Sequence, residues 1–213
     1  LLFIDEDTPF ERVYDGQNFP PYVYEPMLCF LRAEYHGKTE YLYLPCEDEA
    51  IDKAFARLGA PTPDDVELSW EDHCIESGKW VERFKEIASE EGVYELNRLA
   101  AAVNSADMDM KKLWAVAEYA EAEDAGQLAR LAKNIDCFTV IENAANYSDV
   151  GRDVVDHNDC YAVPPELEDY FDFSAFGAHI AEEYYGKFVG GNFIYNDTDT
   201  SLLDILYQDE PMT

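Results

Sequence analysis

Carboxylates are the side chains with the widest scope for chemistry in this sequence, 46 Asp and Glu among 213 residues. Two carboxyl groups in unlike surroundings can divide the roles of general acid and general base, because burial or a nearby charge separates their pKa values. At this density any two acids satisfy such a pattern, and a solvated acidic face accounts for them without catalysis. Asn196-Asp197-Thr198-Asp199-Thr200-Ser201 has the opening of a calcium loop. Leu202 stands where that loop turns on Gly, and Gln208 where a bidentate Glu closes it, so the motif is rejected. Cys46, Cys74 and His73 are metal ligands by type, but CxxC and HxxxH spacings are missing. His36, His73, His157 and His179 are dispersed, and His157, within Asp156-His157-Asn158-Asp159-Cys160, reads as a loop residue. A GxSxG elbow, a P-loop and an HExxH helix are all missing. The expectation is no catalytic residue, no metal and no cofactor.

The charge balance is the stronger signal. Fifteen Lys and Arg against 46 Asp and Glu give a formal net charge of -31, yet 47% of the chain is hydrophobic and 14% aromatic. Disordered acidic chains lack that apolar content, so this one is expected to fold. Self-repulsion of this size opposes compactness and excludes nucleic acid and anionic membrane as direct partners. A basic partner surface is one reason to carry it, and general solubility is another. Thirty-one charges correspond to about 53 Å of B-form DNA at one charge per roughly 1.7 Å of axis.

The elements around these acids follow from apolar spacing. Residues 1–26, acidic, aromatic and bearing Pro9, Pro20, Pro21 and Pro26, read as an irregular arm or an edge strand. Residues 27–32 and 39–44 read as strands around a turn at Tyr35-His36-Gly37-Lys38. Glu47, Asp48 and Glu49 open a helix with the stripe Ile51, Ala54, Phe55 and Leu58, ended by Gly59, and residues 66–70 form a further strand. Helical spacing recurs over residues 80–88, 95–103, 110–120 and 124–135. Beyond them come a short strand at 137–141, a helix at 147–155, a break at Pro164-Pro165, a helix at 173–185 and strands around Gly190-Gly191. From Cys160 onward Lys187 is the single Lys or Arg. Five scattered cysteines, Cys29, Cys46, Cys74, Cys137 and Cys160, read as reduced thiols of a cytosolic protein. No apolar run is long enough to span a membrane, and Leu1–Ile4 is too short for a secretory signal. The chain opens on Leu1 rather than Met, so a natural N-terminus preceding it is expected.

Four local patterns in one order carry a resemblance. They are Glu95-Leu96-Asn97-Arg98-Leu99, then Asn134-Ile135-Asp136-Cys137-Phe138, then Asp149-Val150-Gly151-Arg152, and then the long run from Val163 to Gly177. That run, Val163-Pro164-Pro165-Glu166-Leu167-Glu168-Asp169-Tyr170-Phe171-Asp172-Phe173-Ser174-Ala175-Phe176-Gly177, is similar to P-x-x-L-x-x-Y-[IF]-D-[YF]-x-A-[YF]-G of the ArdA antirestriction family. The chain resembles that family best over residues 92–195. It departs from it at Ala178-His179, where the family has Arg-Asp, and in the first turn, where Asn and Gly are usual.

The resemblance implies an α+β fold, an elongated chain of three small domains that dimerises through its C-terminal part. Here these are an N-terminal sheet-plus-helix domain with an extra arm (residues 1–75), a central helical domain (76–122) and a C-terminal acidic α+β domain (123–213). It also implies a partner, the DNA-binding groove of a type I restriction-modification enzyme, occupied by carboxylates in place of phosphates. The carboxylates expected to act so are Glu118, Glu121, Glu123 and Asp124; Asp149, Asp153, Asp156 and Asp159; and Glu166, Glu168, Asp169, Asp172, Glu182 and Glu183. Two other readings stay open, an acidic interaction domain for a different basic or DNA-binding protein, and an enzyme whose carboxylates bind metal.

Overall fold

A computed structural model describes residues 27–75, 77–104, 108–161 and 163–207, with the side chain of Asp159 left out. The arm expected over residues 1–26 lies outside the described residues. Strand β1 (Cys29–Tyr35) pairs antiparallel with β2 (Lys38–Leu44) through the two-residue turn His36-Gly37, where both residues have positive φ (47° and 77°). Two left-handed residues match the right-handed twist of a hairpin, which is why Gly is placed at the second. Alternation sends Cys29, Leu31, Ala33, Leu42 and Leu44 inward, and stacks Phe30 on Tyr43 on the other face, ring centroids 4.7 Å apart. Strand β3 (Glu67–His73) pairs with the other edge of β1, in the order β2-β1-β3. It runs three residues past the strand expected from the sequence because β1 reaches back to Cys29, and a register shift between Phe30 and Leu31 places His73 opposite Cys29.

Helix α1 (Asp48–Leu58) covers this sheet with Ile51, Ala54, Phe55 and Leu58, and Gly59 closes it at φ 79°. The helical centre follows as α2 (Gly78–Glu90), α3 (Val93–Val103), α4 (Met110–Ala120) and α5 (Ala125–Lys133). Trp80 locks α2 to α4. It is 1% exposed, its indole N–H donates to the Met110 carbonyl at 2.8 Å, and its ring meets Trp114 edge-on at 5.1 Å. Helix α5 is short and alanine-rich because it packs on α3, α4 and a later helix at once, burying Ala125, Leu128, Ala129, Leu131 and Ala132.

Strand β4 (Phe138–Ile141) pairs with β6 (Asn192–Asn196), which pairs in turn with β5 (Lys187–Val189), giving the antiparallel order β4-β6-β5. Between β4 and β5 the chain forms α6 (Tyr147–His157) and α7 (Phe173–Glu183), packed on each other. The last described element, α8 (Leu202–Tyr207), returns to α5. It buries Ile205 and Leu206, and the Leu206 carbonyl accepts from Arg130 Nε at 2.8 Å. One buried cluster runs from Cys29 to Leu206 through both sheets and α1–α5, and a second joins Ile141, Ala144, Val150, Val154, Ile180 and Phe193. The protein is α+β, with small antiparallel sheets toward its two ends and helices between them.

Candidate partner-binding face

The expected carboxylates fall on three stretches of backbone. Glu118 is exposed on the last turn of α4 and lies against the β5–β6 turn, its Oε2 2.9 Å from where a Cβ on Gly190 would stand. Glu121 ends α4 in the left-handed region (φ 54°), and Glu123 is exposed while its carbonyl accepts from Arg83. Asp124 is half-buried and caps α5, accepting from the Gln127 amide at 2.7 Å.

The second stretch is α6. Asp149, Asp153 and Asp156 recur at four and three residues, so they share one side of the helix, with neighbours roughly 5–6 Å apart. Val150, Gly151 and Val154 take the buried side. Asp149 also closes a capping box with Asn146, accepting from the Ala145 amide at 2.8 Å and the Asn146 amide at 3.2 Å. His157, expected in a loop, is the last residue of α6. Its Nδ1 stands 3.0 Å from the Asp153 carbonyl and 3.3 Å from its carboxylate, and a basic group at that end suits the helix dipole. Asp159 falls in the short turn after it.

The third stretch is Pro165–Tyr170, a 3-10 segment carrying exposed Glu166, Glu168 and Asp169, followed by α7. Asp172 caps α7, accepting from the Ala175 amide at 2.9 Å, and Glu182 and Glu183 are exposed at its far end. His179 Nε2 reaches Glu183 at 3.5 Å.

Charge is unevenly shared along the chain. Residues 29–133 hold 23 carboxylates and 12 Lys and Arg, whereas residues 134–207 hold 15 carboxylates and two cations. In the first part several cations are spent on ion pairs, such as Arg57 with Glu40 at 2.9 Å, Lys85 with Glu82 at 2.9 Å and Arg98 with Glu95 at 2.8 Å. In the second, Arg152 lies over the Phe173 ring at 4.3 Å and Lys187 over Tyr119 at 5.6 Å. Most acids of this second part are exposed, Asp149 and Asp153 being half-buried, and few cations stand among them.

No group of three or more His, Cys, Asp or Glu among the described residues is arranged to hold a metal. Asn196 and Asp197 shape a turn instead, Asn196 accepting from the Thr198 amide at 2.9 Å and Asp197 from the Thr139 hydroxyl at 2.7 Å. The cysteines are free thiols. Burial pushes Cys29 up to about 12, and burial with Asp48 and Glu47 nearby pushes Cys46 up to about 11, which disfavours the thiolate form of both. A half-open cleft of about 450 Å³ between α4 and β4 is lined by Asp109, Lys111, Lys112, Phe138 and Asn192, and contains none of the expected carboxylates.

Two motif residues have roles that spacing alone did not reveal. Asn97, only 5% exposed, accepts from the Cys46 amide at 2.9 Å and donates to the Cys46 carbonyl at 2.8 Å and to Asp48 at 3.0 Å. It fastens α3 to the start of α1. Asn134 donates to the Arg130 carbonyl at 2.8 Å and so turns the chain from α5 into β4. The signal available for both was an amide residue beside an apolar stripe.

Fold and composition together define a strongly acidic α+β protein. The family model of the antirestriction protein (ArdA) matches residues 29–195, from the first residue of β1 into β6, and the chain belongs to that family. No curated protein matches it. Among the described residues, no helix is long and apolar enough to cross a membrane.

Proposed function

We propose that this protein inhibits type I restriction-modification enzymes by DNA mimicry, its surface carboxylates taking the place of phosphates in the enzyme's DNA groove. The observation that carries the reading is the concentration of 15 carboxylates against two cations over residues 134–207, in a member of an antirestriction family. A DNA groove is lined with Lys and Arg, and its occupation by polyanion releases counterions. Carboxylates held on folded backbone supply the charge without a scissile phosphodiester or a methylatable base. On this reading the protein is a binder and not a catalyst. It works as a homodimer of three-part chains, joined through the C-terminal part, in the bacterial cytoplasm where restriction enzymes meet incoming DNA.

The test is inhibition of type I DNA cleavage by a graded series of variants. Because mimicry spreads binding over many charges, Glu118→Gln or Glu182→Gln alone should weaken inhibition only slightly. Neutralising Glu166, Glu168, Asp169, Asp172, Glu182 and Glu183 in steps should weaken it progressively and flatten its salt dependence. One folded single-amide variant with no remaining inhibition would overturn the distributed account, since such a loss marks a discrete site.

A further inference from the structure

The segment Pro165–Tyr170 is six residues of 3-10 helix, longer than such runs usually are. With three residues per turn, side chains at i and i+3 eclipse one another. Glu166 and Asp169 therefore share one edge, and Leu167 and Tyr170 share the next. Both members of the apolar edge are bare, Leu167 54% and Tyr170 85% exposed. The segment leads at its C-terminal end into an aromatic cluster. Phe171 packs edge-on against Phe173 at 4.9 Å and Phe176 at 5.6 Å, and Tyr161 against Phe176 at 5.2 Å. Beside that cluster two large apolar side chains thus lie next to each other in water.

We propose that Leu167 and Tyr170 form an apolar anchor inserted into the basic groove of the DNA-processing partner, flanked by the Glu166–Asp169 edge that meets its cations. This deepens the proposed function and rests on it. The partner's chemistry follows from charge: Glu166, Glu168, Asp169 and Asp172 surround the anchor, and this stretch carries no Lys or Arg between Arg152 and Lys187. A second copy of the chain meeting this edge about a two-fold axis would set the same acids against each other. A tyrosine loses little conformational entropy on burial and is enriched among residues that dominate interfaces, whereas rim carboxylates chiefly set on-rate and salt dependence. The anchor thus provides affinity that salt does not screen.

The experiment compares the whole protein with Leu167→Ala/Tyr170→Ala and with Glu166→Gln/Asp169→Asn. It measures inhibition of a type I enzyme on its own DNA across a salt series, with sedimentation to read mass. The apolar double variant should need about 10–100-fold more protein for half-inhibition, with the slope against salt and the mass unchanged. The acidic double variant should instead flatten the slope. Unchanged inhibition by the apolar variant overturns the anchor. So does a lowered mass, which would place the edge between copies of the chain. If the parent protein fails to inhibit at all, the proposed function falls and the anchor with it; inhibition by the parent with an inert apolar pair removes the anchor alone.

Discussion

Gly151 and Gly177 face each other where α6 crosses α7, with no side chain between the two backbones. A Cβ on Gly151 would stand 2.0 Å from the Phe173 carbonyl oxygen, and one on Gly177 would stand 1.9 Å from the Tyr147 carbonyl oxygen. Neither obstacle is a flexible side-chain tip, so a methyl group at either position must drive the helices apart. Gly151→Ala or Gly177→Ala should therefore destabilise the protein by about 2–3 kcal/mol or more, through overpacking. Thermal or urea unfolding of each variant checks this. A loss under about 0.5 kcal/mol, the range of an inert surface change, would contradict the close crossing.

The capping acids separate charge from fold. Asp124 and Asp172 each accept a backbone amide at a helix start, at 2.7 Å and 2.9 Å, whereas Glu166 and Glu182 are simply exposed. Asp124→Ala and Asp172→Ala should each cost about 1 kcal/mol of stability. Asp172→Asn keeps a capping oxygen, so it should lose charge with little loss of stability. Glu166→Gln and Glu182→Gln should stay within about 0.5 kcal/mol of the parent. Denaturant midpoints for the five variants test the division, and equal effects from Asp172→Ala and Glu182→Gln would contradict it.

Apolar periodicity made much of this architecture legible. The stripe Ile51, Ala54, Phe55 and Leu58 identified α1, and Gly59 identified its end, because burial and the left-handed cap are local demands. Helix α4 coincides with the expected 110–120, since Asp109 starts it with a cap to the Lys111 and Lys112 amides. Helix α8 was not legible. It is six residues long, and only Ile205 and Leu206 are buried, against α5, so no period develops. The same limit hid the Gly151–Gly177 crossing. Both glycines stood inside motifs, but a close approach of backbones is a tertiary fact that neither sequence neighbourhood encodes. For the acids, net charge was plain while placement was not. Asp149, Asp124 and Asp172 cap helices, and Leu167 with Tyr170 became an edge only once the 3-10 geometry set their phase.

Salt should stabilise the isolated protein. Over residues 134–207, 15 carboxylates stand against Arg152 and Lys187, and both cations lie over aromatic rings. Repulsion among exposed acids is screened over about 10 Å at 0.1 M salt and about 30 Å at 0.01 M. The melting midpoint should therefore rise as sodium chloride goes from low to moderate concentration. A flat or falling midpoint over that range would mean that the acids are not closely spaced.

Competition between this protein and DNA for one enzyme tests the central claim most directly. A type I restriction-modification enzyme, loaded with fluorescent target DNA, is titrated with the protein at several salt concentrations while free DNA and ternary complex are separated. Mimicry predicts complete, mutually exclusive displacement of DNA. It also predicts that the protein's own affinity falls steeply with salt, because many charge pairs form at once and release counterions. A stable ternary complex of enzyme, DNA and protein, or binding indifferent to salt, would contradict occupation of the DNA groove.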